Sequence, residues 1–361
     1  IVANRVTRTI GEKVAPSTVQ IVDIDILPAR TVSAAIHPLA AADALGYLLY
    51  TSGTTGKPKG VVQTQRNILH GVMRRVNGFH ICPADRLTLL SNATHQAVMN
   101  ILSAVLSGAA ICPFDARLAS AHEFAAWLTR AEITIYHSSA SLLRQLAGAL
   151  SGQEDFSRIR LVRSASEAPS IADVEQYRRH FPDSCLFSNG LGSTETGTCT
   201  LYFVDKHTEF ATPTVPIGYP LEDMEILLLD EDSMETTSGA GEIAIRSRYV
   251  SPGYWCQPGL TDKQFRGDPT GADCRIYLTG DMGRFADSGA LEHLGRKDFQ
   301  IKIRGHRVET AEVEQKLSEH EEIARAFVIG HKPPSGETRL VAYLVPRANA
   351  RLATSALRQF L

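Results

Sequence analysis

The chain has 361 residues with 43% apolar content, which is enough to bury a sizeable core and more than one ordinary domain usually contains. Its 37 basic and 39 acidic residues give a formal charge of -2, so there is no positive excess to attract nucleic acid or an anionic membrane. Six cysteines are scattered without a close pair, which is typical of neither a zinc site nor a disulfide framework, so we expect reduced thiols in a cytoplasmic protein.

Before Glu225, short apolar runs of strand length alternate with segments of helical spacing. The strand-length runs are 45–51, 133–138, 159–162 and 185–188, and the helical segments include 63–76, 121–132, 141–150 and 172–181. This alternation predicts an α/β fold of layered, mostly parallel sheets wrapped by helices. The most apolar stretch, 101–114, is interrupted by serine, glycine and proline and is too short to span a bilayer.

From Glu225 onward, strand-length runs come closer together, with turn residues between them. These runs are 225–230, 241–246, 276–279 and 291–294. Their spacing predicts mainly antiparallel strands or a small β-barrel-like subdomain.

A turn rich in glycine and hydroxyl groups follows the first of the apolar runs and precedes a helical segment. It contains Thr51, Ser52, Gly53, Thr54, Thr55, Gly56, Lys57 and Lys59. Glycine lets the backbone approach a phosphate chain closely, and the hydroxyls add hydrogen-bond donors. Gly53 and Gly56 are too close together for the Walker pattern, and taken alone the segment also fits a polar surface turn.

Four further segments follow this turn along the chain. They are NGLGSTE at 189–195, GEIAI at 241–245 with Gly253-Tyr254 after it, YLTGD at 277–281, and GRKDFQIKIRGHRVE at 295–309. Together and in this order, the five segments resemble the signatures of the adenylate-forming (AMP-binding) superfamily. That superfamily includes acyl- and aryl-CoA ligases and the adenylation domains of nonribosomal peptide synthetases, and the resemblance to the latter is closest.

The resemblance implies ATP and Mg²⁺ as cofactors and assigns the nucleotide contacts. The glycine-rich turn would hold the phosphates, and Asn189, Gly190 and Leu191 would hold adenine. Thr194 would offer its hydroxyl to the reacting phosphate, and Glu195 would bind magnesium through the hard oxygen ligand that this ion prefers. Asp281 would accept hydrogen bonds from both ribose hydroxyls, and Arg296 would touch the ribose. Alone, the Thr-Glu pair is more often a helix start and Thr-Gly-Asp an ordinary turn.

One residue of the adenine segment departs from the common family form, which has an aromatic side chain where Leu191 stands. Stacking of a base on an aromatic ring is worth about 1 to 3 kcal/mol. We therefore expect weaker ATP binding, without loss of the site.

The segment 295–309 implies a division of the chain into a large adenylation domain, 1–297, and a smaller α+β lid domain, 298–361. In the family the lid turns about a hinge, here Asp298, and Lys302 and Gly305 fall where relatives line the thioester-forming face. Alternating charged and apolar residues are also typical of a half-exposed hairpin. Relatives carry a lysine near the end of the lid that has no counterpart here, so we expect poor adenylation by this chain alone.

The segment 91–108 resembles the acyl-binding helix of the family. Relatives that take α-amino acids carry an aspartate near its start, where this chain has His95 with Gln96 beside it. An α-ammonium group would lack its buried counter-ion, which favours an aryl, fatty or other carboxylic acid without that group. A lone histidine is more often a packing residue. The same alignment adds pocket candidates, which are Met99, Ser164, Ser166, Gly190, Thr198 and Cys199.

Three functions stay open on the sequence. The preferred one is ATP-dependent formation of an acyl-adenylate followed by transfer to the pantetheine thiol of a carrier protein. The second is a free-standing acyl- or aryl-CoA ligase that uses coenzyme A as the acceptor. The third is a nucleotide-binding module without catalysis.

Overall fold

The structure is a computed structural model that divides into two compact units, Ile1–Ala40 and Ala41–Leu361. It describes residues 2–16, 18–26, 40–51, 58–90, 94–212, 214–232, 234–236, 239–271, 273–297, 300–303, 306–331, 338–347, 354, 357 and 360. In the first unit, β1 (Val2–Ala3), α1 (Arg8–Val14), β2 (Val22–Asp23) and a 3-10 turn (Ile24–Ile26) follow one another. Strands β1 and β2 pair in parallel.

The second unit begins with an antiparallel hairpin of β3 (Leu45–Thr51) and β4 (Lys59–Thr64). The strand predicted at 45–51 is confirmed, but its grouping with the parallel strands is wrong, because the short connection to β4 leaves no room for a crossover. The helix predicted at 63–76 starts later, as α2 (Gln65–Phe79), after Thr64 caps it by accepting from the amide of Asn67. The glycine-rich turn therefore precedes a strand and not a helix.

The next nine elements alternate strand and helix and form the main sheet. They are β5 (Arg86–Leu89), α3 (His95–Ser107), β6 (Ala110–Pro113), α4 (Ala121–Arg130), β7 (Ile135–Ser138), α5 (Ala140–Ala147), β8 (Leu161–Ser164), α6 (Ile171–His180) and β9 (Leu186–Asn189). The five strands run parallel in the order β9-β8-β7-β5-β6, which confirms the predicted fold class.

The two faces of this sheet pack against different helices. Tyr136 and Val162 belong to an apolar cluster with side chains of α4, α5 and α6. Ile135 and Leu161 belong to another cluster, with side chains of α2 and α3. Because successive strand residues point to opposite faces, the residues two positions after Ile135 and Leu161 also face α2 and α3.

A small hairpin and two further strands of the main sheet follow β9. The hairpin is formed by β10 (Gly192–Ser193) and β11 (Gly197–Thr198). Strands β12 (Thr200–Val204) and β13 (Tyr219–Pro220) extend the main sheet beyond β9 with antiparallel pairing, giving the seven-strand order β13-β12-β9-β8-β7-β5-β6.

A second sheet occupies the region after Glu225. Its elements are β14 (Glu225–Leu229), β15 (Gly241–Ser247), α7 (Pro258–Gln264), β16 (Phe265–Gly267), β17 (Arg275–Phe285) and β18 (Leu291–Arg296). All pairings in this five-stranded sheet are antiparallel, as predicted. Val61 of β4, Leu191 and Tyr277 of β17 share one apolar cluster, so this sheet packs against the glycine-rich hairpin and the adenine segment.

The last described elements form two hairpins and a helix. They are β19 (Gln300–Ile303), β20 (His306–Glu309), α8 (Thr310–Ser318), β21 (Ile323–His331) and β22 (Arg339–Pro346). Leu317, Ile323 and Val328 make a small apolar cluster of their own. No helix in the described part of the chain is both long and apolar enough to cross a bilayer.

Candidate active site

A tight hairpin carries Thr194 and Glu195 at its tip, between β10 and β11. Two glycines permit it. Gly197 has a φ of +67°, and a Cβ at Gly192 would lie 2.7 Å from the carbonyl oxygen of Gly197. The predicted strand before this segment is confirmed as β9, and the alternative in which Thr194 and Glu195 start a helix does not occur.

Side chains from β4 and α2 hold the backbone of this hairpin. Gln63 donates to the carbonyl oxygen of Thr194 at 2.6 Å. Arg74, only 2% exposed, donates to the carbonyl oxygen of Thr196 at 3.0 Å and also to that of Thr198. The tip is therefore fixed relative to the strand that leaves the glycine-rich turn.

Glu195 is fully buried and lies in a cluster of hydrogen-bonded polar side chains. The ammonium nitrogen of Lys59 is 3.1 Å from Oε1 of Glu195, and it donates to the hydroxyl of Tyr254 at 2.9 Å. That hydroxyl donates in turn to Oε1 of Glu195 at 3.0 Å. The cluster places Lys59, predicted as a phosphate-loop residue, directly against the predicted magnesium ligand.

Tyr254 is a residue that the sequence analysis did not select for the site. It pairs with Val61 of β4 through a β-bridge, which brings its ring next to the strand that carries Lys59. Its place in the Gly253-Tyr254 signature was a signal that could have identified it.

The donor set around Glu195 can be tested against magnesium. Among the residues that the structure describes, no three His, Cys, Asp or Glu side chains are grouped to hold a metal. Mg²⁺ is commonly bound by one or two carboxylates together with substrate phosphates rather than by a complete protein cage. A single buried carboxylate, paired with Lys59 at the end of the glycine-rich turn, fits that pattern.

Thr51 stands at the end of β3, opposite Lys59 in the register of the hairpin. Its hydroxyl is buried and has no hydrogen-bond partner among the described residues. The rest of the predicted phosphate loop, Ser52, Gly53, Thr54, Thr55, Gly56 and Lys57, lies outside the described residues, and its phosphate contacts stay predictions.

The two predicted ribose residues lie side by side on β17 and β18. Asp281 and Arg296 are opposite each other in the register, and Nη1 of Arg296 donates to Oδ1 of Asp281 at 3.2 Å. The same oxygen is 3.0 Å from Nε2 of His293, which the sequence analysis did not select. His293 is also on β18, so only the pairing of the two strands reveals it.

The adenine segment uses its polar and apolar groups for packing. The side-chain amide of Asn189 donates to the carbonyl oxygens of Val215 at 3.3 Å and Pro216 at 2.9 Å. Leu191 is 8% exposed within the cluster shared with β4 and β17. A Cβ at Gly190 would lie 2.2 Å from the carbonyl oxygen of Thr200, so only glycine fits there. Their contacts with adenine stay predictions.

A continuous set of contacts joins the adenine segment to the ribose residues. Asn189 holds the 215–216 backbone, and the next residue, Ile217, donates its amide to the carbonyl oxygen of Leu291 at 2.8 Å. Leu291 begins β18, and Arg296 ends it. The predicted nucleotide residues on β9, β17 and β18 are thus parts of one packed region.

Helix α3 brings the predicted acyl-pocket residues to the hairpin tip. Nδ1 of His95 is 3.0 Å from the hydroxyl of Tyr47 on β3. Its buried Nε2 has no partner among the described residues, and a Cβ at Gly197 would be 3.8 Å from it. Burial, and secondly the charge of Arg75, lowers the pKa of His95 to about 4, so the imidazole is neutral at pH 7.

Gln96 connects α3 to the main sheet and to α2. With its amide oxygen turned toward the neighbouring donors, it accepts from Nε2 of His137 at 3.0 Å and from Nη1 of Arg75 at 2.8 Å. Arg75 also donates to the side-chain oxygen of Asn100. Burial lowers the pKa of His137 well below its usual range and that of Arg75 to about 10. Met99, which is 2% exposed, packs against this group from α3, with its sulfur 4.0 Å from the hydroxyl of Tyr47.

Strand β8 carries the predicted pocket residue Ser164 and a neighbouring charged residue, Arg163. Arg163 lies two residues after Leu161 and opposite His137, so it faces α2 and α3, while Ser164 points to the other face. The Arg163 guanidinium lies 4.7 Å from the ring centre of Phe79 on α2. Ser166 is exposed in a turn with a φ of +67°. We therefore add Arg163 and His137 as pocket candidates, and the roles of Ser164 and Ser166 stay predictions.

The remaining predicted residues are placed as follows. Thr198 and Cys199 are buried at the end of the hairpin, and Cys199 packs in the same apolar cluster as Leu191. Lys302 is on β19, opposite Arg307. Asp298 and Gly305 lie outside the described residues.

Comparison with protein-family models identifies the family of this chain. Residues 4–255 match the family model described as AMP-binding enzyme. The chain belongs to the AMP-binding enzyme family.

This AMP-binding enzyme is similar to parts of two much longer synthases. It is 32% identical over 337 residues to tyrocidine synthase 1 of Brevibacillus parabrevis, covering 92% of this chain and 30% of that protein. It is 34% identical over 328 residues to surfactin synthase subunit 2 of Bacillus subtilis (strain 168), covering 90% of this chain and 9% of that protein. The chain therefore spans less than a third of these relatives.

Two solved structures show the same fold. PA1221, an NRPS protein containing adenylation and PCP domains, has a TM-score of 0.78 and 26% identity, with 96% of this chain and 70% of that chain covered. The amide bond synthetase McbA from Marinactinospora thermotolerans has a TM-score of 0.81 at 21% identity, with 99% of this chain and 72% of that chain covered, a likeness that concerns the fold alone.

Proposed function

We propose that this AMP-binding enzyme activates a carboxylic acid with ATP and transfers the acyl group to the pantetheine thiol of a carrier protein. In the first step a carboxylate oxygen bonds to the α-phosphorus, and the bond to the leaving pyrophosphate breaks. In the second step the thiol sulfur bonds to the acyl carbon, AMP leaves, and the thiol proton is lost. The observation that carries the proposal is the buried cluster of Lys59, Glu195 and Tyr254 beside the glycine-rich turn.

Each residue of this cluster has a separate role in positioning the metal and the phosphates. Glu195 would hold Mg²⁺ together with phosphate oxygens, and Lys59 and Tyr254 fix the direction of its carboxylate. Thr194, at the hairpin tip, would donate its hydroxyl to the reacting phosphate. Mg²⁺, when bound, would neutralise charge on the pyrophosphate that leaves. The protein contributes mainly position and charge, as is typical of phosphoryl chemistry.

Asp281 and Arg296 would hold the ribose. A carboxylate can accept from two neighbouring hydroxyls, and Arg296 and His293 already orient the Asp281 carboxylate. Their connection through β18 to the 215–217 segment and Asn189 supports a single nucleotide site.

The lid is proposed to begin at Asp298 and to rotate about that residue between the two half-reactions. The amide of Lys297 donates to the carbonyl oxygen of Gly280 at 2.8 Å, so the chain is hydrogen-bonded to β17 up to Lys297. The first residue at which a hinge could rotate is therefore the one after Lys297. Lys302 and Gly305 would then line the path of the pantetheine thiol.

The acid is proposed to lack a free α-ammonium group. His95 is neutral. After burial, the charge of Arg75 lowers its pKa, that of Glu195, which is already paired with Lys59, raises it, and that of Arg74 lowers it. An ammonium group placed there would meet like charges, which is expensive in a buried site. The carrier protein as acceptor is supported by the presence of adenylation and PCP domains together in PA1221.

Calorimetric titration of ATP with and without Mg²⁺ tests the nucleotide part. We expect Mg²⁺ to tighten ATP binding by about tenfold or more in the wild type and to have no such effect in Glu195→Gln. Glu175→Gln, at an exposed pair on α6, is the matched control and should behave as the wild type. An equal magnesium effect in Glu195→Gln contradicts the assignment, and absence of ATP binding by the wild type contradicts the function.

Pyrophosphate release by the full-length protein, measured against a panel of acids, tests the chemistry and the substrate class. Matched pairs that differ in an α-ammonium group should show preference for the member without it. Transfer to a phosphopantetheinylated carrier protein rather than to coenzyme A supports the proposed acceptor. Efficient transfer to coenzyme A alone would make the protein a free-standing ligase. Nucleotide binding without pyrophosphate release by the full-length protein would make it a non-catalytic module.

A further inference from the structure

Buried positive charges lie on the face of the main sheet that α2 and α3 cover, and they exceed the negative charges of the described residues there. Arg75 and Arg163 are each 3% exposed. Neither forms an ion pair with any residue that the structure describes, and the neighbouring charges that act on them are those of other arginines. Arg75 donates to the neutral oxygens of Gln96 and Asn100, and only its buried Nε has no hydrogen-bond partner among the described residues.

Arg163 is satisfied less well. Two of its nitrogens, Nε and Nη1, are buried and have no hydrogen-bond partner in the described part of the chain. Ser188, opposite Arg163 on the adjacent strand β9, is fully buried, and its hydroxyl also has no partner there. His137, Arg163 and Ser188 thus form a row across β7, β8 and β9 on the face toward α2 and α3.

Two members of this row, Arg163 and Ser188, offer hydrogen-bond donors that have no acceptor among the described residues. Burial, and secondly the charge of Arg75, lowers the pKa of Arg163 to about 9, so its guanidinium stays protonated at pH 7. An unpaired guanidinium in a protein interior is costly, and its planar pair of N–H groups matches the two oxygens of a carboxylate. A bound carboxylate would neutralise the guanidinium charge and accept hydrogen bonds from its N–H groups.

Contacts connect this row to the hairpin tip through the start of α3. Nε2 of His95 is 3.8 Å from the position of a Cβ at Gly197, two residues after Glu195. Gln96, the next residue of α3, accepts from Nε2 of His137 at 3.0 Å. Arg163 lies opposite His137 in the register of β7 and β8, so these contacts lead from the hairpin tip to Arg163.

We infer that the acid activated by this enzyme carries a second carboxylate at its far end, which pairs with Arg163 and accepts a hydrogen bond from Ser188. The inference rests on the proposed function, because the reacting carboxyl group must lie near Thr194 and Glu195 for the second group to reach Arg163. It adds a specificity-determining residue and narrows the substrate to dicarboxylic acids.

Binding of acyl-sulfamoyl adenosines, stable mimics of an acyl-adenylate, tests the inference by calorimetry. The ligands form pairs of increasing chain length in which the far end is a carboxylate or the isosteric carboxamide. We expect at least one pair in which the carboxylate binds tighter by about tenfold or more. In Arg163→Met this preference should disappear while AMP binding is unchanged, and Ser188→Ala should reduce it. Arg158→Met, at an exposed pair with Glu132, is the control and should keep the full preference.

Thermal unfolding separates this role from a structural one. Arg163→Met removes an unpaired buried charge and keeps an apolar side chain on Phe79, so its unfolding midpoint should equal or exceed that of the wild type. A clear fall in the midpoint would show that Arg163 serves packing and would overturn the inference.

Other results have equally definite meanings. If AMP and the analogues bind but no carboxylate binds tighter than its carboxamide, the inference fails and the proposed function stands. If neither ATP, AMP nor any analogue binds, the proposed function fails together with it.

Discussion

On the nucleotide side of the candidate site, buried Lys59 lies 3.1 Å from buried Glu195 and both contact Tyr254. On the acyl side, Arg75 and Arg163 are equally buried and form no ion pair with any described residue. Paired opposite charges fix the geometry of a site before the ligand binds. Charges that are not balanced raise the free energy of the empty protein, and a ligand of opposite charge lowers it. The first arrangement suits a common cofactor, and the second suits a particular substrate.

The largest effect should come from breaking the balanced side. Lys59→Met leaves Glu195 as a buried carboxylate without its cation, and we expect the free energy of unfolding to fall by about 3–5 kcal/mol. Urea unfolding measures this change in the free energy of unfolding. The double variant Lys59→Met/Glu195→Gln should lose less than the sum of the two single variants. Additive losses, or a Lys59→Met variant as stable as Arg163→Met, would remove the contrast between the two sides.

Acid should destabilise the protein through the acyl side. The pKa of His95 is depressed to about 4, so between pH 6.5 and pH 4 the unfolded chain binds a proton that the folded chain does not. The free energy of unfolding should therefore fall as pH falls through this range, by up to about 3 kcal/mol from this residue. His95→Gln should show a shallower fall in urea unfolding at several pH values. An unchanged slope would mean that His95 titrates normally in the folded protein.

Asp281→Asn tests the ribose contact on the balanced side. Loss of a charged acceptor should weaken AMP binding by about 1.5–3 kcal/mol, which calorimetry measures. AMP lacking the 2′-hydroxyl should bind the wild type more weakly than AMP does, and Asp281→Asn should discriminate less between the two. If the variant binds AMP as tightly as the wild type, the ribose lies elsewhere.

The smallest effect should come from the contact that links the two sides. Tyr47→Phe removes the hydroxyl that lies 3.0 Å from Nδ1 of His95, and we expect a loss of about 1 kcal/mol in the free energy of unfolding. Tyr50→Phe, on an exposed side chain of the same strand, is the control. Equal values for the two variants would show that β3 and α3 are not coupled through this contact.

Much of the fold follows from local patterns. The parallel strands β7, β8 and β9 lie within a few residues of the predicted runs, because each is a short apolar segment between helical ones. Strand β4 was missed because it is buried on both faces at most positions, so it lacks the alternation that marks a half-exposed strand. Its residues next to α2 therefore resembled a helix start.

The site was predictable where it depends on residue type and order along the chain. Glu195, Asp281 and Arg296 belong to motifs, and the structure brings the last two together. Tyr254 contacts Lys59 across 195 positions of sequence, and no local pattern encodes such a contact. Arg163 was missed because the choice between it and Ser164 depends on which face of β8 packs against α2 and α3.

A crystal structure with Mg²⁺ and a non-hydrolysable ATP analogue tests the central claim most directly. We expect one nucleotide whose ribose hydroxyls lie within hydrogen-bond distance of Asp281, with the metal bound by Glu195 and its phosphates against the turn between β3 and β4. A nucleotide that contacts one of these two carboxylates and lies out of reach of the other would contradict the account.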